Sequence, residues 1–218
     1  MSKIHIIGDI HGKIDRYRKL LHTIPEGERS IQVGDVGLGF RGVTVFPDGV
    51  MASGLHKFIR GNHDDPTKHY RHRHYLGDYG YDESTGIFWL SGGFSIDRQW
   101  RVPMVSWWPG EELSSSELDK AFELYVKSKP RFVISHEAPL NAATWLLTMV
   151  APGFRPEKIV TTRTGQKMEY MLDFHKPEKW IFGHYHIDKT FTFSGVEYTC
   201  VNELSTYLLD TEAPSVLG

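Results

Sequence analysis

The chain has 218 residues, 40% hydrophobic and 24% charged, with a formal net charge of −2. That is enough to bury a real core in one domain, expected to span 1–218, and too neutral to draw a polyanion by its overall field. The balance disfavours sequence-independent nucleic-acid binding, while a local basic groove stays compatible with it.

Ile4–Ile7 is a short apolar run ending at Gly8-Asp9, the pattern of a strand buried on both faces. Lys13–Leu21 predicts a helix. Ser30–Val33 repeats the first pattern and ends at Gly34-Asp35. Leu55–Ile59 runs into Arg60-Gly61-Asn62-His63-Asp64, and Gly86–Leu90 is a further strand. The stretch 94–110 lacks periodicity and predicts a loop over the site. Its Trp100, Trp107 and Trp108, with Pro103 and Pro109, are expected to pack rather than line a substrate pocket. Ser114–Lys127 predicts a helix with serines near its start. Arg131–Ile134 is a strand ending at Ser135-His136-Glu137. Thr164–Phe174 is a helix stopped near Pro177. Trp180–Phe182 runs into Gly183-His184-Tyr185-His186. Lys189–Phe193 and Val196–Val201 form a β-hairpin around Ser194-Gly195, and Ser205–Leu209 is a last strand. Alternating strands and helices argue for an α/β layered domain, and the late hairpin argues against a purely parallel sheet.

Twelve histidines are an excess for such a chain and direct attention to metal ligation. Cys200 is the only cysteine, which excludes an internal disulfide and fits a reducing compartment. The N-terminal MSKIHIIGDIHG lacks a long apolar stretch, and no segment reaches the roughly 18 apolar residues of a membrane span. The expectation is a cytoplasmic protein with no membrane partner.

Five predicted strands end in metal-capable groups: Asp9 with His11, Asp35, Asn62 with His63, His136, and His184 with His186. In open α/β sheets, ligands bind at the carboxyl ends of strands, so strands sharing that edge would bring these side chains together. Carboxylate, amide oxygen and imidazole suit Mn, Fe, Zn, Ni or Co rather than Ca, with Mn the first expectation. Seven donors exceed the needs of one ion and suit two ions about 3.5–4 Å apart, sharing a carboxylate and holding a bridging hydroxide. Singly, Asp9 and Asp35 also read as capping carboxylates, Asn62 as a turn residue and His136 as a structural histidine.

Gly8-Asp9-Ile10-His11-Gly12, Gly34-Asp35, Gly61-Asn62-His63-Asp64, His136 and Gly183-His184-Tyr185-His186 resemble, in order, the motifs of the calcineurin-like metallophosphoesterases. The resemblance implies a four-layer α-β-β-α sandwich of two mixed sheets and hydrolysis of phosphomonoesters or diesters. It implies that Asp9, His11, Asp35 and His186 hold one metal. Asp35, Asn62, His136 and His184 would hold the other, with Asp35 bridging. It places His63 beside the leaving group as a proton donor or charge stabiliser, with Asp64 orienting it.

The chain departs from the protein Ser/Thr phosphatase branch, whose second motif continues GDxVDRG. Here Leu38 and Gly39 stand where that branch has its Asp and Arg, which argues against protein phosphatase activity. The overall pattern is closer to short bacterial and phage phosphoesterases. Arg60, and Arg41 by spatial substitution, are the expected phosphate contacts. The basic run Lys68–His74 raises a nuclease of the same chemistry as the alternative, although a solvated surface is the favoured reading of that run. A non-catalytic scaffold is the third reading, opposed by the intact donor set.

Overall fold

A computed structural model describes residues 3–40, 54–69, 72–151, 153, 155 and 159–212. Among the described residues, ten strands form two sheets. The first takes β1 (Lys3–Ile7), β2 (Arg29–Val33), β3 (His56–Ile59) and β10 (Thr206–Asp210) in the order β10-β1-β2-β3. Here β1, β2 and β3 are parallel and β10 runs antiparallel on the edge of β1. The second takes β4 (Tyr79–Asp82), β5 (Ile87–Leu90), β6 (Phe132–Ser135), β7 (Lys179–Phe182), β8 (Lys189–Phe193) and β9 (Val196–Cys200) in the order β4-β5-β6-β7-β9-β8. Its centre is parallel and both edge strands are antiparallel.

Period-two alternation distributes the apolar side chains between layers. Ile4 and Ile6 of β1, Ile31 and Val33 of β2, Phe132 and Ile134 of β6 and Ile181 of β7 meet in one cluster between the sheets. On the far side of the six-stranded sheet, Val133, Trp180 and Phe182 pack under three helices, α3 (Ser115–Ser128), α4 (Leu140–Val150) and α5 (Arg163–Phe174). On the far side of the four-stranded sheet, Ile7 and Phe58 pack with Tyr17 and Leu21 of α1 (Ile14–Leu21). A single short turn, α2 (Pro66–His69), follows β3. The result is the four-layer α-β-β-α sandwich implied by the motifs.

Local chemistry explains the element ends. Ser114 caps α3, its hydroxyl accepting from Glu117 N–H while the Glu117 carboxylate accepts from Ser114 N–H, a capping box. The β8–β9 turn uses Ser194 (φ 51°) and Gly195 (φ 85°), both left-handed, as a two-residue hairpin of this twist requires. Besides the single turn α2, two elements went unforeseen: β4, a half-buried YGYD, and α4, an apolar run without charges.

Candidate metal centre

The five metal-capable segments follow β1, β2 and β3 in one sheet and β6 and β7 in the other, so the donors converge across two sheets rather than along one. Backbone bonds lock these loops together. Ile10 and His11 N–H donate to Asp35 O at 3.0 and 2.8 Å, and Gly183 N–H donates to His136 O at 3.1 Å. Eight non-glycine residues among those described have a positive φ, and four are in the donor set: His11 (48°), Asp35 (55°), His184 (68°) and His186 (53°). Such backbone costs roughly 1–3 kcal/mol per residue and concentrates where side chains must be aimed.

Two clusters result. In the first, His186 Nε2 lies 3.0 Å from Asp9 Oδ2 and 2.8 Å from His11 Nε2. His11 Nε2 is 3.6 Å from Asp9 Oδ2, and His11 Nδ1 is 3.8 Å from Asp35 Oδ2. In the second, His136 Nε2 lies 2.9 Å from Asn62 Oδ1, 3.2 Å from His184 Nδ1 and 3.3 Å from Asp35 Oδ1. Donors bound about 2.1 Å from a shared ion stand roughly 3.0–3.4 Å apart, so the second cluster already has the spacing of a coordination shell. His136 Nδ1 is 2.9 Å from the Val33 carbonyl, an acceptor, so this nitrogen carries the proton and Nε2 presents a lone pair. Asn62 Nδ2 donates to Ser95 Oγ at 2.9 Å, which turns Oδ1 inward. Acceptors facing acceptors call for a cation between them, and the donor set fits a divalent one.

The electrostatics agree. Asp9 and Asp35 are buried, and with His136 they offer ligand atoms within 4.8 Å of one another. Burial, followed by the charge of Asp9, pushes the Asp35 carboxyl well above its usual range. Burial acts the same way on Asp9, but hydrogen bonds from His11 and His186 outweigh it and hold that carboxyl low. Burial and the neighbouring His136 push His184 down to about 3, so its ring is neutral and able to ligate. A bound cation would offset the repulsion between such adjacent carboxylates.

His63 stands at the rim. Its backbone N–H donates to Asp35 Oδ1 at 2.7 Å, its ring stacks on Phe40 at 4.6 Å, and its Nε2 is 3.9 Å from Asp35 Oδ2. Arg101, absent from the sequence expectations, brings a guanidinium nitrogen to 2.6 Å from His63 Nε2. Burial and then the Arg101 charge hold His63 down to about 2, making Nε2 an acceptor here.

Two expectations need correction. Asp64 is a clamp for the loop that carries Asp35: Oδ1 accepts Gly37 and Leu38 N–H at 2.6 and 3.2 Å, and Oδ2 accepts Val36 and Gly61 N–H at 3.2 and 2.8 Å. Arg60 is only 3% exposed. Its Nε donates to Asp78 Oδ1 at 2.7 Å and one terminal nitrogen to the Gly110 and Glu111 carbonyls, so it holds loops together instead of facing substrate. Arg41 lies outside the described residues, as do Tyr70 and Arg71 of the basic run. Elsewhere in the run, Lys68 and Arg73 are exposed as expected, while His74 is buried and His72 packs edge-on against Phe58.

The 94–110 segment does border the site. Trp108 is buried near Phe40, while Trp100 is 80% exposed. Ser95 N–H and Oγ both donate to the Glu111 carboxylate, at 3.0 and 2.6 Å, so Glu111 and Ser95 together hold Asn62. Neither residue carries a motif. The loop's position beside the metal-capable segments was the one available signal for them and for Arg101.

A family model described as calcineurin-like phosphoesterase matches residues 2–188. No curated protein matches the sequence. Among solved structures, the chain is similar to a conserved uncharacterised protein of Streptococcus pneumoniae, described as a predicted phosphoesterase. The identity is 10% and the TM-score 0.43, over 100% of this chain and 94% of that one. It is also similar to the phosphopantetheinyl hydrolase of Mycobacterium tuberculosis, at 15% identity and TM-score 0.47, over 92% and 89% of the two chains. Among the described residues, no helix is long and apolar enough to cross a membrane.

Proposed function

The chain belongs to the calcineurin-like phosphoesterase family and is a metal-dependent phosphoric ester hydrolase, and we propose that it works through two divalent ions. Asp9, His11 and His186 would hold one, Asn62, His136 and His184 the other, with Asp35 shared. The observation that carries this reading is the splay of Asp35: Oδ2 turns toward His11 while Oδ1 turns toward His136. The mix of carboxylate, amide and imidazole donors favours Mn, with Fe, Zn, Ni and Co as alternatives. Bound there, such ions acidify a water molecule and offset charge on the phosphoryl oxygens. His63 stands beside Asp35 at the rim, and because its Nε2 accepts from Arg101, it would stabilise the departing oxygen through Nδ1–H.

The test is metal analysis of the purified protein together with hydrolysis of an aryl phosphate and its diester with Mn added. Wild type is expected to bind two ions per chain, His136→Ala one, and Asp35→Asn fewer than two with turnover lost. Full turnover in Asp35→Asn, or wild-type metal content in both variants, defeats the proposal.

A further inference from the structure

A cavity of about 500 Å³ opens beside the donor clusters, within the roughly 300–1,000 Å³ common for small-molecule sites. Its two ends differ in chemistry. One end is floored by Asp35, His63 and His184. The apolar lining comes from Leu140, Ala143 and Leu147 of α4, with Ile159, Val160 and Ile96. Ile96 and Val160 are exposed to water at 72% and 41%, so part of this apolar wall is surface and not core.

The polar groups bordering the apolar end are already engaged. The Glu137 carboxylate accepts from Phe94 N–H at 3.1 Å and from the Thr162 hydroxyl. Asp97 pairs with Arg101 Nε at 2.7 Å. A polyol or a nucleobase would find few groups to satisfy its donors and acceptors there, whereas an apolar group would displace water from apolar surface. At the junction of the two ends stands Arg101. Asp97 holds Nε at 2.7 Å, the Ser106 carbonyl accepts from one terminal nitrogen at 3.3 Å, and the other terminal nitrogen, 2.6 Å from His63 Nε2, has a second N–H to offer a ligand. A guanidinium so placed suits a phosphoryl oxygen.

We propose that this protein acts on phosphoesters of apolar alcohols, with the alkyl or aryl group lodged against the α4 wall and the phosphoryl group beside Arg101. The inference rests on the phosphoester reading above and specifies its substrate class. It also supplies the phosphate contact that Arg60, spent on Asp78, does not.

Two series test it. The first is calorimetric binding of n-alkylphosphonates from ethyl to octyl, to metal-free and Mn-loaded protein. The second is Mn-dependent hydrolysis of the matching alkyl phosphates, whose leaving groups have nearly constant acidity. Phosphonate affinity and kcat/KM are both expected to rise about 2- to 4-fold per methylene, then level off once the cavity is filled. Glycerol phosphate is expected to be a poorer substrate than propyl phosphate. Leu147→Glu, and independently Val160→Glu on the more exposed rim, should flatten both gradients. Arg101→Ala should weaken every phosphonate by a similar factor. A flat series, or a preference for glycerol phosphate, overturns the proposal. A phosphonate gradient without turnover of any ester leaves the cavity assignment standing and defeats the hydrolase reading. Turnover without a gradient does the reverse.

Discussion

Asp64→Asn separates a structural role for Asp64 from a catalytic one. The substitution preserves size and converts one carboxylate oxygen into an NH2 group. Oδ1 serves the Gly37 and Leu38 N–H groups and Oδ2 those of Val36 and Gly61, and all four residues are buried. Whichever oxygen is lost, two buried donors then face a donor. At about 1–3 kcal/mol for each abandoned donor the cost is roughly 2–6 kcal/mol, against a total stability of roughly 5–15 kcal/mol. For a chain of this length each kcal/mol moves the melting midpoint by about 2–4 °C, which sets the expected drop at roughly 4–24 °C. Thermal and urea unfolding of the metal-free protein is the assay, because metal binding then contributes nothing to the difference. A variant that melts with wild type yet loses turnover would refute the clamp and return Asp64 to the role of orienting His63.

Ser95→Ala removes the hydroxyl that holds the Asn62 amide and is expected to weaken metal binding by about 10–100-fold. Competition with a chelator measures this, and unchanged affinity would mean Asn62 is aimed by something else. His63 predicts a pH dependence. Its folded pKa is held down to about 2 against an ordinary 6.5, so the unfolded chain takes the proton first. Stability is therefore lost as pH falls below 6.5, at up to about 1.4 kcal/mol per pH unit for this residue. His63→Asn should show a shallower decline in metal-free urea titrations between pH 6.5 and 4.5, and parallel curves would contradict the assignment.

Much of the architecture could be read locally. Four of the five strands preceding the metal-capable segments are short runs closed by glycine, β6 ends instead in Ser135-His136, and α3 announces itself through Ser114 and Glu117. The two missed elements lack such local signals. The α4 run carries no charges, and its polar face is only Asn141, Thr144 and Thr148, a weak mark of the helical period. The YGYD of β4 is a strand only because β5 pairs with it and Gly80 leaves room for the Trp89 ring.

The residues proposed as donors could be named from the chain because each lies shortly after a strand, and the structure brings them together at the sheet ends. The roles of Asp64, Arg60 and Arg101 could not be read this way. A carboxylate next to a histidine, or an arginine beside a glycine, has several possible partners, and sequence adjacency does not select among them. Only the parallel pairing of β3 beside β2 brings Asp64 to the N–H groups of the loop after β2, and only the folded chain turns Arg60 to Asp78 and carries Arg101 to His63 across 38 positions. The physical reason is that donors at strand ends are directed by short-range geometry. Loop side chains are directed by whichever long-range partner satisfies their hydrogen bonds, and that partner exists only once the chain has folded.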